Sequence, residues 1–128
     1  MTYHLERQKT TSTPYILIDE EKCYMKMEGC SFHEDVVEFF SQVNIWLDSF
    51  LMKDFGTFTF DCEMEYFNSS TVKVLFNMLM KMDNCANEKP NNKIIVNWIT
   101  DQNNEIILEC GEDLKEEITA LTFNIVAN

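Results

Sequence analysis

The densest set of residues able to do chemistry in this chain is the run Asn68-Ser69-Ser70-Thr71. An amide followed by three hydroxyls can serve in two ways. One side-chain oxygen can accept a backbone N–H at a helix start, a capping role that suits either Asn68 or Ser69. A hydroxyl there can also accept a phosphate, because free N–H groups and the positive end of the helix dipole tolerate the added charge without melting the helix. Such a modification places about −1.5 to −2 charge on the exterior, where a partner docks. The local pattern leaves both readings open. Asn68-Ser69-Ser70 also matches the glycosylation sequon, which a chain kept inside the cell would not use.

Other chemistries find few residues to work with. The two histidines, His4 and His33, have no Gly-x-Ser-x-Gly elbow to serve. Ser70-Thr71-Val72-Lys73 fits the short SxxK pattern of penicillin-binding enzymes, but the chain has no KTG partner motif. His33, Glu34 and Asp35 are adjacent, and adjacent residues on a helix point in different directions. Asp61, Glu63 and Glu65 share one strand face, yet a calcium site takes six or more oxygens on a loop, so they read as a solvated acidic face. Neither a Walker loop nor a dinucleotide fingerprint is present. Five scattered cysteines without CxxC spacing read as reduced structural thiols. The expectation is a non-enzymatic chain with no catalytic residues, no metal and no cofactor.

The run sits where two periodicities meet. Before it, Phe58, Phe60, Cys62, Met64 and Tyr66 alternate with Thr57, Thr59, Asp61, Glu63 and Glu65, which predicts a strand over 57–66 with one face packed. After it, Val72, Leu75, Phe76, Leu79 and Met82 predict a helix over 70–85 with that set inside. Further strands are expected at 15–19, 23–28, 93–100 and 119–126, the second of these ended by Gly29-Cys30-Ser31. A helix is expected over 34–52, with Ser31 and Glu34 at capping-box spacing. A weaker one over 104–117 is expected to be interrupted at Gly111. The order β-β-α-β-α-β-α-β, with strands polar on one side, predicts a two-layer α/β sandwich: a mixed sheet of about five strands with helices mainly on one face.

At 128 residues the chain reads as one domain, 1–128, behind a polar leader at 1–13. Its formal charge of −12, from 22 acidic and 10 basic residues, repels nucleic acid and anionic membrane, so neither is expected as a partner. No apolar run approaches the roughly 20 residues that span a bilayer, and the start lacks the pattern of a secretory signal, so a cytoplasmic location is expected.

The junction resembles the phosphorylation site of STAS domains, the small α/β anti-sigma-factor antagonists. In these a strand ends in Asp-Ser-Ser-Gly or similar, and the first serine of the next helix is the acceptor. The chain resembles more closely the SiaC family of regulatory phosphoproteins, a STAS-like bacterial group. Three pieces carry this: Ser12-Thr13-Pro14; Glu28-Gly29-Cys30-Ser31-Phe32-His33-Glu34-Asp35; and Tyr66-Phe67-Asn68-Ser69-Ser70-Thr71-Val72-Lys73. Asn97-Trp98, Glu109-Cys110-Gly111-Glu112 and the strand around Phe123 extend it over nearly the whole chain. The resemblance implies a STAS-like sandwich with Ser69 as phosphoacceptor, surrounded by Asn68, Ser70, Thr71 and Lys73. It implies a cognate kinase and a PP2C-type phosphatase as partners. It also implies that the unphosphorylated form binds and activates a signalling partner, a diguanylate cyclase. Two positions depart from the family pattern: His33 and Gln42 stand where proline is usual. Ser70 and Thr71 are competing acceptors, and a STAS-like module that binds a small ligand or lipid without phosphorylation is the alternative.

Overall fold

The computed structural model describes residues 2–128. Its elements are β1 (His4–Arg7), β2 (Tyr15–Asp19), β3 (Tyr24–Ser31), α1 (Val36–Phe39), α2 (Ser41–Phe50), β4 (Thr57–Phe67), α3 (Ser69–Glu88), β5 (Lys93–Thr100), α4 (Glu105–Glu117) and β6 (Thr122–Ala127). The six strands form one mixed sheet in chain order. β1, β2 and β3 make an antiparallel meander, and β3, β4, β5 and β6 run parallel. Three parallel connections that step across a sheet in one direction, with one hand, lay their helices on one face.

Strand alternation shows which face that is. Met25, Met27, Phe58, Phe60, Cys62, Met64, Ile94, Val96 and Trp98 are buried in the core that the helices close. Tyr24, Lys26, Asp61, Glu63 and Asn97 lie between them in sequence and are half-buried on the open face. There the Tyr24 hydroxyl donates to Asp61 Oδ2 at 2.7 Å and Asn97 Nδ2 donates to Asp61 Oδ1 at 2.8 Å. Asn124 Nδ2 then donates to Asn97 Oδ1 at 3.0 Å, completing a polar chain across four strands. Asp61 thus belongs to the sheet's own bonding.

Six strands replace the five or so expected, because the polar leader contains β1. An edge strand reading His-Leu-Glu-Arg buries too little to show a period, yet its backbone pairs with β2 in the register Leu5 opposite Ile18. Gly29 does not end β3. At φ +115 it takes a conformation open to glycine, and the register with β4 shifts there while the strand runs on to Ser31. The helix expected over 34–52 is two helices that meet at Phe40, whose φ and ψ are −90 and 0. Ser31 caps neither. Asp35 does, its Oδ1 accepting the Glu38 N–H at 3.2 Å.

Gly111 interrupts nothing. α4 runs through it, and a Cβ there would lie 2.5 Å from Trp98 Cδ1, so the glycine lets helix and strand approach. The buried side of α3 also differs from the expected stripe. Val74 and Met78 are inside with Leu75, Leu79 and Met82, whereas Val72 and Phe76 are only partly buried. The helix packs on the sheet and against α1 together, so its buried face is wider than a single stripe.

Candidate functional site

The C-terminal ends of β3 and β4 lie side by side, with Ser31 opposite Phe67 in the parallel ladder. Asn68 then leaves the sheet with extended backbone (φ −86, ψ 173), and its N–H donates to the Ser31 carbonyl at 3.1 Å. That geometry makes Asn68 the N-cap of α3. Its Oδ1 accepts both the Thr71 N–H at 2.9 Å and the Thr71 hydroxyl at 2.8 Å.

Thr71 is fully buried. Its Oγ1 also lies 2.8 Å from Ser31 Oγ and 3.1 Å from the Ser31 carbonyl, so the hydroxyl is enclosed by protein partners. Ser69 and Ser70 occupy the first two positions of α3 and are exposed. Backbone N–H groups at those positions have no acceptor within their own helix and lie at the positive end of its dipole. Lys73 is exposed one turn beyond Ser69 on the same side of the helix. The structure therefore gathers Asn68, Ser69, Ser70, Thr71 and Lys73 at one helix start, with Thr71 inside and the two serines outside.

Three further residues complete the surroundings. Ser31 is the buried partner of Thr71, at a separation of 40 positions. Phe32 and Tyr66 are exposed by 41% and 52% and pack edge to face, with ring centroids 5.8 Å apart. Phe32 follows the end of β3 and Tyr66 is the penultimate residue of β4, so the pair flanks the cap as an apolar patch beside exposed hydroxyls. The alternation of β4 assigned Tyr66 to the buried set, but the register shift between Gly29 and Cys30 moves it outward. Phe32 is held from a third side, its N–H donating to the Ser12 carbonyl at 2.9 Å.

Nothing here resembles a nucleophile with its base. Cys30 Sγ lies 3.9 Å from Glu65 Oε2; burial, and then that carboxylate's charge, push the thiol above its ordinary range, so it stays protonated. Burial likewise raises the thiols of Cys23, Cys62, Cys85 and Cys110. Among the described residues no group of three or more His, Cys, Asp or Glu side chains converges to hold a metal ion. Nor is any described helix long and apolar enough to cross a membrane.

The model of the SiaC family of regulatory phosphoproteins matches residues 7–128. This chain belongs to the SiaC family. It is 28% identical over 108 residues to an uncharacterized protein of Pseudomonas aeruginosa (strain UCBPP-PA14), covering 84% of each chain. The structure of apo-SiaC from P. aeruginosa shares the fold, at 24% identity and a TM-score of 0.84, over 98% of this chain and 100% of that one. SiaC in the complex of the diguanylate cyclase SiaD with its activator SiaC, also from P. aeruginosa, is 27% identical at a TM-score of 0.89. There the match covers 97% of this chain and 99% of the other. A SiaC-family member is a regulatory protein, and this chain is accordingly a regulator and not an enzyme.

Proposed function

We propose that this SiaC-family protein is a cytoplasmic switch, reversibly phosphorylated on Ser69, whose unphosphorylated form binds and activates a diguanylate cyclase. The observation that carries the reading is the division of labour at the α3 start. Thr71 is buried in the Asn68–Ser31 network, while the Ser69 hydroxyl is presented to solvent at the first helical position. A phosphate at that position meets the N-terminal N–H groups and the dipole, so it changes the surface and leaves the fold intact. The cyclase enters through the relative, SiaC, which activates SiaD. A dedicated kinase and a PP2C-type phosphatase complete the cycle, the logic of STAS-like partner switching, with which the one-sided helix layer agrees.

The test is a set of single substitutions assayed with the kinase and cyclase of the same cell. Ser69→Ala is expected to abolish phosphate incorporation and keep cyclase binding, whereas Ser69→Glu weakens binding. Incorporation that survives Ser69→Ala and disappears in Ser70→Ala moves the site by one residue. If neither substitution affects incorporation or binding, the switch reading fails.

The small-ligand alternative rests on a cleft of about 460 Å³ between α2 and α3, lined by Leu51, Met52 and Cys85. Charged residues share its walls, and Lys81 pairs with Asp48 across the two helices at 2.9 Å. A ligand of defined mass that co-purifies in native mass spectrometry is the result this alternative predicts.

A further inference from the structure

The two edges of the sheet are built differently. β1 closes one edge with 4 residues, and His4, Glu6 and Arg7 give it the charged and polar side chains that blunt an edge against further pairing. β6 closes the other edge with 6 residues, Thr122–Ala127, and carries neither a charge nor a proline. Its ladder to β5 also runs without a bulge. The protections usual on an edge strand are missing from β6.

The register shows which backbone groups that edge offers. Asn128 donates its N–H to the Thr100 carbonyl at 2.9 Å and accepts the Gln102 N–H at 3.0 Å, so its backbone faces β5. Along a strand in a parallel ladder, one residue directs both groups to its neighbour and the next directs both away. Thr122, Asn124 and Val126 therefore bond to β5, while Phe123, Ile125 and Ala127 turn N–H and carbonyl outward. Just ahead of the strand, Asp83 accepts the N–H groups of Thr119, Ala120 and Leu121. Beyond that point no strand among the described residues takes up the outward row.

Charge and symmetry together choose the occupant. The chain carries −12, yet β6 has no charged residue, so two copies can meet there without like charges opposed along the seam. An acidic or basic strand of another protein finds no counter-charge on β6 itself. A twofold axis at Ile125 sets that residue opposite its own copy and Phe123 opposite Ala127 of the second copy. Every outward residue then exchanges both bonds, and none of the row is left over. We propose that β6 pairs antiparallel with β6 of a second copy of this chain, joining the two sheets into one. Asn124 and Val126, both exposed, then lie opposite one another across the seam. Ser69 starts α3 at the end of β4, on the far side of β5, so the pairing leaves it free and does not depend on it.

The test is sedimentation equilibrium of the unmodified full chain over a concentration series, with amide hydrogen exchange followed by NMR at both ends of that series. A monomer–dimer equilibrium is expected, tightening as salt screens the repulsion between two acidic chains. Exchange at Phe123, Ile125 and Ala127 should slow as the dimer forms, while Asn124 and Val126, already bonded to β5, change little. Asn124→Glu/Val126→Glu opposes like charges across the seam at exposed positions. It should weaken the dimer about tenfold, with the monomer still folded by circular dichroism. Mixed with an Asn124→Lys/Val126→Lys chain, it should form a heterodimer tighter than either variant forms alone. A monomer at every concentration would overturn the proposal. So would a dimer that leaves exchange at Phe123, Ile125 and Ala127 unchanged, or one that the glutamate pair does not weaken. Slowing of the same amides only when the cell's diguanylate cyclase is added would assign the edge to that partner instead.

Discussion

At the start of α3 the Thr71 hydroxyl meets both Ser31 and Asn68 inside the protein, while its two neighbours point outward. Removing the hydroxyl leaves buried polar atoms of Ser31 and Asn68 short of a partner. Thr71→Val is therefore expected to cost about 1–3 kcal/mol, read from the urea midpoint at unchanged slope. Asn68→Ala loses the cap and should cost about 1 kcal/mol by the same measurement. Neither Ser69→Ala nor Ser70→Ala should move stability by more than about 0.5 kcal/mol, since exposed side chains contribute little. That contrast separates the residues that hold the junction from the exposed serine proposed to carry the phosphate. The run of hydroxyls was visible in the sequence, and so was the cap at Asn68. What local pattern could not show was which hydroxyl faces inward, because the deciding partner, Ser31, comes from another strand.

At the scale of elements, close approach and buried hydrogen bonds fix the frame that carries the junction. Trp98 donates its indole N–H to the Ile107 carbonyl at 2.9 Å and lies against Gly111. Gly111→Ala gains helix propensity worth about 1 kcal/mol but forces a Cβ into the indole. Overpacking costs about 1–3 kcal/mol, so the net is expected to be a lower melting temperature. Asp83 is buried on α3 and receives N–H donors from Thr119, Ala120 and Leu121, which pins the entry to β6. Burial alone would raise its pKa; the donated bonds outweigh it, and the carboxyl sits below its ordinary value near 3.8. A depressed folded pKa contributes stability that is present above the unfolded value and lost as pH falls through the folded one. Asp83→Asn should therefore destabilise most at neutral pH, and the gap to the parent should narrow in acid, as followed by thermal melts from pH 7 to pH 2. The strands with strict alternation were legible because one face is packed and the other wet. β1 was not, since an edge strand is specified by backbone pairing more than by its side chains. The single long helix failed as an expectation because the apolar stripe of α1 and α2 continues across the break at Phe40.

For the molecule as a whole, a rigid sheet holds two strand ends together so that a cap, two exposed serines and the Phe32–Tyr66 pair share one surface. Family membership extends over nearly the full chain, as the scattered motifs had implied. The charge of −12 makes a phosphate at Ser69 a change of local pattern more than of overall sign. Its effect on a partner should therefore come from contacts at the α3 start and depend only modestly on salt. The most direct measurement compares binding of the cell's own diguanylate cyclase to the unmodified chain and to the same chain carrying phosphoserine at position 69. The account predicts a loss of at least about tenfold in affinity on phosphorylation, with the melting temperature nearly unchanged. Equal or tighter binding of the phosphorylated chain would contradict it.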